Sequence, residues 1–141
     1  MAEYMFREHI RGTHPGWKVR SAGTLGISGA PASKFAVKAL KEINVDLRAH
    51  RSQPVTDDLV EDAELIVVMT EGHRDELLER YPGAASKIYM LKSFDPSSDG
   101  GDVMDPIGLS LDVYRYIRGE ISNALWGLGE FLGEIDKREE S

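Results

Sequence analysis

The spacing of apolar residues changes period several times along the chain, and each change marks an element. Tyr4, Met5 and Ile10 among Glu3, Arg7 and Glu8 predict a short amphipathic helix over residues 2–9, ended by Gly12 and the Pro15-Gly16 pair. Trp17, Val19 and Ser21-Ala22-Gly23 predict a short strand running into a loop punctuated by Gly23, Gly26, Gly29 and Pro31. Ser33 stands where an N-cap would, ahead of a second helix over residues 34–43 with a stripe drawn from Phe35, Val37, Ala39, Leu40 and Ile43. Residues 45–50 read as brief and extended, and Thr56-Asp57-Asp58 opens a short acidic helix ending near Asp62. Leu65-Ile66-Val67-Val68-Met69 is unbroken and β-branched at its centre, the pattern of a parallel strand covered on both faces. A helix over residues 71–81, stopped by Pro82-Gly83, leads to a second short strand over residues 87–91 and a polar loop over residues 93–101. A last long helix carries Tyr114, Ile117, Ile121, Leu125, Leu128, Leu132 and Ile135 on one face. Alternating strands and helices predict an α/β fold with a parallel sheet and helices on both sides. In such sheets ligands sit beyond the carboxyl ends of the strands, here the loops after Arg20, Met69 and Leu91.

Composition narrows this picture. A chain of 141 residues with 41% apolar content fits one domain around one core and excludes wholesale disorder. The net charge of −7 is uneven, with +4 over residues 1–50 and −11 over residues 51–141. The acidic total argues against nucleic acid as a partner, which needs a basic face to displace counterions; the basic first half suits a small anion or is an ordinary solvated surface. No apolar stretch approaches the roughly 20 residues of a membrane span, and the first residues are charged, so no membrane association is expected and the cytoplasm is the expected compartment. The chain contains no cysteine. That excludes disulfides, thiolate metal sites and a cysteine nucleophile from these residues.

Candidate chemistry concentrates late in the chain. Asp105-Pro106-Ile107-Gly108 puts a carboxylate between a restricted and a permissive backbone position, a way to aim one side chain. Asp105 suits a general acid, and the same residues equally make an ordinary Asp-Pro turn. His50, after the extended segment, reaches the same region or is a surface histidine. His9, His14 and His73 are not paired at ligand spacing, so neither a metal nor another cofactor is expected. Gly23, Gly26 and Gly29 follow a strand and precede a helix, but match neither the dinucleotide fingerprint nor the triphosphate loop.

Taken in order, Met1-Ala2-Glu3, Ser21-Ala22-Gly23-Thr24, Gly29-Ala30-Pro31, His50-Arg51-Ser52, residues 65–70, Asp105-Pro106-Ile107-Gly108 and the long last helix resemble the low-molecular-weight protein tyrosine phosphatases. The likeness is to their bacterial branch, which includes protein arginine phosphatases, and runs over essentially the whole chain. It implies a three-layer α/β/α fold as a single domain over residues 1–141. The family's defining element is Cys, five residues, Arg, then Ser-Pro-Met-Ala-Glu, and this chain begins at that Met. The resemblance therefore implies an N-terminally truncated member lacking the central first strand, the nucleophilic Cys and the phosphate-binding Arg.

In the family a thiolate attacks phosphorus and the acid of the Asp-Pro pair protonates the leaving group, then activates water against the phosphocysteine. By resemblance Asp105 takes that acid/base role, Ser21 and His50 brace the phosphate loop, and Leu25, Ile27 and Ile107 line the rim of the substrate cleft. Ile107 stands where other members carry an aromatic residue, which weakens stacking on a phosphotyrosine ring. The implied function is hydrolysis of phosphotyrosine or phosphoarginine on a phosphorylated protein, with the chain as written inactive. The alternative is a non-catalytic pseudophosphatase that binds a protein partner. The related arsenate reductases need further cysteines, which are absent.

Overall fold

The apolar run at residues 65–69 builds the centre of the molecule. In the computed structural model, which describes residues 1–24, 27–98 and 100–140, Ile66–Val68 forms β1. It pairs in parallel with β2, Ile88–Met90, in the register Ile66 to Ile88, Val67 to Tyr89 and Val68 to Met90. Strand side chains alternate between faces, and both faces are covered. Leu65, Val67 and Met69 pack against one core, while Ile66 and Val68 join Ile88 and Met90 in another.

The larger core gathers α1 (Ala2–Ile10), α2 (Lys34–Lys41) and α5 (Leu111–Glu140) around Leu40, Leu47, Leu91 and Ile117. The second takes Val60 from α3 (Asp57–Asp62) and Leu77 from α4 (Glu71–Arg80). Helices therefore cover both sides of a parallel sheet, as the periodicity predicts. The helix starts are fixed by local chemistry: Ser33, Thr56 and Thr70 accept with their hydroxyls from the amides of Ala36, Leu59 and His73. α3 ends against Lys87, whose Nζ donates to the carbonyls of Val60 (2.5 Å) and Ala63 (2.7 Å).

Two sequence expectations give way. The segment from Trp17 to Ser21 is extended but joins no ladder, because a strand needs a neighbour and among the described residues none lies beside it. Its Val19 carbonyl instead accepts from Arg7 Nε (3.2 Å) and Nη2 (2.9 Å). Residues 45–50 pair in no described strand and turn at Arg48 and Ala49. Asn44 adopts φ 62° and ends the helix early, with the Val45 amide returning to the Leu40 carbonyl (2.9 Å) and that of His50 to Leu47 (3.1 Å). Beyond β1 and β2 the described sheet-like pairing is two isolated bridges, Gly23 with Pro54 and Pro31 with Arg51.

The long stripe of α5 buries Tyr114, Ile117, Ile121, Ala124, Leu125 and Leu128, with Leu132 and Ile135 only half-buried. Arg115 and Arg118 of the same helix clamp Glu42, and their hydrogen bonds hold its carboxyl at about 2. A short 3₁₀ turn, Leu91–Phe94, crosses beneath α5 so closely that a Cβ on Gly127 would lie 1.8 Å from the Phe94 carbonyl oxygen. Among the described residues no helix is long and apolar enough to cross a membrane.

Gly127 and Gly119 share one helix but differ in surroundings, since a Cβ at Gly119 meets nothing within 4 Å. Gly127→Ala is expected to lower unfolding free energy by about 3 kcal/mol through backbone overpacking. Gly119→Ala should raise it by about 0.5–1 kcal/mol through helix propensity. Urea denaturation of the two variants checks the pair; equal effects would contradict the close crossing.

Candidate active site

α1 begins with an acid in its first turn, Glu3, which suits the helix dipole. Its side chain is only 8% exposed, so its charge needs partners. Arg7, one turn on, pairs with Oε2. Ser21 Oγ donates to Oε1 at 2.5 Å, and His50 Nδ1 stands 3.7 Å from the same oxygen. The His50 ring also meets Tyr4 edge-on, with centroids 5.5 Å apart. Burial pushes the His50 imidazole below its ordinary pKa; Glu3 opposes that shift, while the Met1 ammonium, Arg7 and Arg51 add to it.

The two loops that supply Ser21 and His50 are stitched to each other. Gln53 Nε2 donates to the Ser21 carbonyl (2.9 Å), and the amides of Gly23 and Gly29 donate to the carbonyls of Gln53 (2.8 Å) and Ser52 (2.7 Å). Ser52 returns its own amide to the Ala30 carbonyl (2.8 Å) and accepts with Oγ from the Ala30 amide (3.0 Å). Gly29 takes φ +76°, a conformation that L side chains rarely adopt.

The third loop is fastened to the carboxyl end of β1. Val103 donates its amide to the Met69 carbonyl (2.7 Å), and Asp102 Oδ1 accepts from the Glu71 amide at the start of α4 (2.9 Å). From this anchor Asp105 Oδ1 accepts from the Ile107 amide (3.1 Å), and the Leu109 amide closes onto the Pro106 carbonyl (2.9 Å). Gly108 supplies the φ of +79° that this turn uses. Asp105 is exposed while Pro106 beneath it is buried.

All three loops meet at the amino end of α1. Burial lowers the pKa of the Met1 ammonium, and the charges of Glu3 and then Asp105 act against that shift. The same ammonium acts on His50. Asp105, Glu3 and His50 thus share one electrostatic neighbour at a helix start, where amides and dipole favour an anion.

Of the residues singled out in the sequence, Ser21 and His50 come together through Glu3, while Asp105 reaches the same helix start only through its charge. Ile27, on the Ser21 loop, is 56% exposed and Ile107, beside Asp105, 71% exposed. Leu25 lies outside the described residues. Sequence reasoning gave no role to Glu3 or Asp102. Glu3 entered there only as a polar position of the first helix and as part of the Met1-Ala2-Glu3 match, and nothing local marks Asp102 as a link between β1 and α4. Met104 and Leu109, also exposed on the Asp105 loop, extend its apolar rim. Among the described residues no three His, Asp or Glu side chains gather as a metal ion would require.

Residues 1–140 match the family described as low molecular weight phosphotyrosine protein phosphatase. The chain is 38% identical over 118 residues to a protein-arginine-phosphatase of Geobacillus stearothermophilus, covering 84% of this chain and 78% of that protein. It is 34% identical over 132 residues to the protein-arginine-phosphatase of Bacillus subtilis strain 168, covering 94% and 87%. Among solved structures, a low molecular weight protein tyrosine phosphatase from T. tengcongensis superposes with a TM-score of 0.84 at 34% identity, over 92% of this chain and 87% of that one.

The hub role of Glu3 is tested by Glu3→Gln, which removes the Arg7 pair and the carboxylate facing His50. Stability should drop by about 1–3 kcal/mol, and the His50 pKa, already below 6.5, should fall further. The unfolded chain binds the His50 proton more readily, so the native protein loses stability as pH drops from 6.5 through the depressed folded value. An NMR titration of the His50 ring reads both; a value unmoved by the substitution would refute the contact.

Proposed function

Because this chain belongs to the low molecular weight phosphotyrosine protein phosphatase family, we propose that its three converging loops form the proton-handling and bracing part of a cysteine-dependent protein phosphatase site. Asp105 is the general acid that protonates the leaving oxygen or nitrogen and then, as carboxylate, takes a proton from water. Ser21 and His50, joined through Glu3, hold the loop that carries phosphate. Ile27 and Ile107 line the cleft. The observations that support this reading best are the turn that aims Asp105, with Oδ1 accepting from the Ile107 amide (3.1 Å), and the link between Ser21 and His50 through Glu3.

The substrate is a phosphorylated protein, with phosphotyrosine or phosphoarginine as the scissile group; the relatives' names include both protein-arginine-phosphatases and tyrosine phosphatases. The aliphatic Ile107 offers no ring for stacking, so the cleft discriminates little in favour of an aromatic leaving group. The thiolate that attacks phosphorus and the guanidinium that holds its oxygens are not among these residues, since the chain has no cysteine and hence no Cys-x5-Arg. The reading requires that segment from outside the 141 residues. Without it no phosphocysteine forms, and an acid alone supplies only about 10²–10⁴ of rate.

The purified 141-residue chain is expected to leave p-nitrophenyl phosphate intact. A longer product carrying an in-frame Cys-x5-Arg segment encoded ahead of Met1 should hydrolyse it. In that product Asp105→Asn should lower kcat by about 10²–10⁴-fold. Turnover by the short chain with contaminating phosphatase excluded, or an Asp105→Asn product as fast as its parent, would overturn the assignment. Upstream DNA with no such segment would favour the protein-binding alternative.

A further inference from the structure

The other end of α1 carries chemistry that the phosphatase reading does not use. Arg7 on that helix and Arg11 at its C-cap, with His14, Lys18 and Arg20, line an open pocket of about 360 Å³. That volume falls within the range of small-molecule sites. The carboxylates around it are already engaged. Glu3 pairs with Arg7, Glu8 stands 3.5 Å from Arg11, and Asp136 accepts from Trp17 Nε1 at 2.7 Å with His14 Nδ1 4.0 Å away. Among the described residues no carboxylate pairs with Lys18 or Arg20. Two uncompensated cations outweigh the roughly half negative charge that the end of a helix contributes.

The walls are held in place before any ligand arrives. Arg7 grips the Val19 carbonyl (2.9 Å) and ties the extended segment to α1. At the other end His14 stacks on Trp17, with rings 3.7 Å apart and 4° from parallel, and Trp17 is bound through Asp136 to α5. The chain as a whole carries −7, so general attraction of anions is disfavoured and binding here has to be local. Guanidinium groups match phosphate oxygens in bidentate geometry. Two uncompensated cations, with Arg7 and Arg11 beside them in one small volume, suit more than a single phosphate.

We propose that this pocket binds a compact oligophosphate, at the end of α1 remote from Asp105. The inference stands on these side chains and is independent of phosphatase turnover.

The test is calorimetric titration of the chain with inorganic tripolyphosphate at low salt, with ¹⁵N amide shifts recorded on the same samples. Saturable binding is expected, with shifts confined to residues 7–20. The Lys18→Ala/Arg20→Ala variant should bind about tenfold or more weakly, the scale of one charge-assisted contact. Both side chains are exposed, so this variant should fold as its parent does. The Lys38→Ala/Lys41→Ala variant, altered at exposed lysines of α2, should bind like the parent. No saturable binding, equal weakening in both variants, or shifts centred on residues 1–4 and 105–108 would each overturn the proposal.

Discussion

A carboxylate withdrawn from water has to be matched by donors or positive charge, and Glu3 imposes that requirement on everything around the start of α1. Its partners come from three places: Arg7 from its own helix, Ser21 from one loop and His50 from another. Neither loop belongs to a continuous sheet. Their positions rest instead on this carboxylate and on the amide and carbonyl bonds that stitch residues 21–23 and 29–30 to residues 52–55. Arg7 extends the same network to the Val19 carbonyl, so one helical turn organises a long irregular stretch.

The layered frame behind these loops is held by different forces. Alternate side chains of β1 feed two separate cores, and α5 presses a continuous apolar stripe onto α1, α2 and the turn at Leu91–Phe94. Burial of that area is the dominant favourable term in any such fold. Geometry then ties frame to loops. The carboxyl end of β1 holds residue 103 by a backbone bond, and Asp102 holds the start of α4, so the Asp105 turn leaves from the carboxyl end of the sheet.

The family to which the chain belongs does its chemistry with a cysteine, and these residues have none. The separation is instructive about how such a site is divided. The aiming of Asp105 by a Pro-Ile-Gly turn and the linking of Ser21 to His50 through Glu3 are complete within these residues. On the proposed function, positioning and nucleophilic attack fall to different stretches of chain, and these residues carry only the first. The cationic pocket at the carboxyl end of α1 shares Arg7 with the Glu3 network.

By itself the sequence determined whatever depends on neighbours a few residues apart. Hydrophobic period placed the helices and both strands of the pair, hydroxyls at Ser33 and Thr56 announced helix starts, and Asp105-Pro106-Ile107-Gly108 announced a turn that aims a side chain. Tertiary structure decided the rest. Trp17 to Ser21 has a strand's alternation but no partner to hydrogen-bond, and strand identity is a property of pairs. The Phe94 carbonyl lies against Gly127, and Ser21 and His50 reach Glu3 from residues far along the chain. Period and capping are local energies written into adjacent side chains, whereas pairing, close approach and the satisfaction of a buried charge exist only between segments that folding brings together.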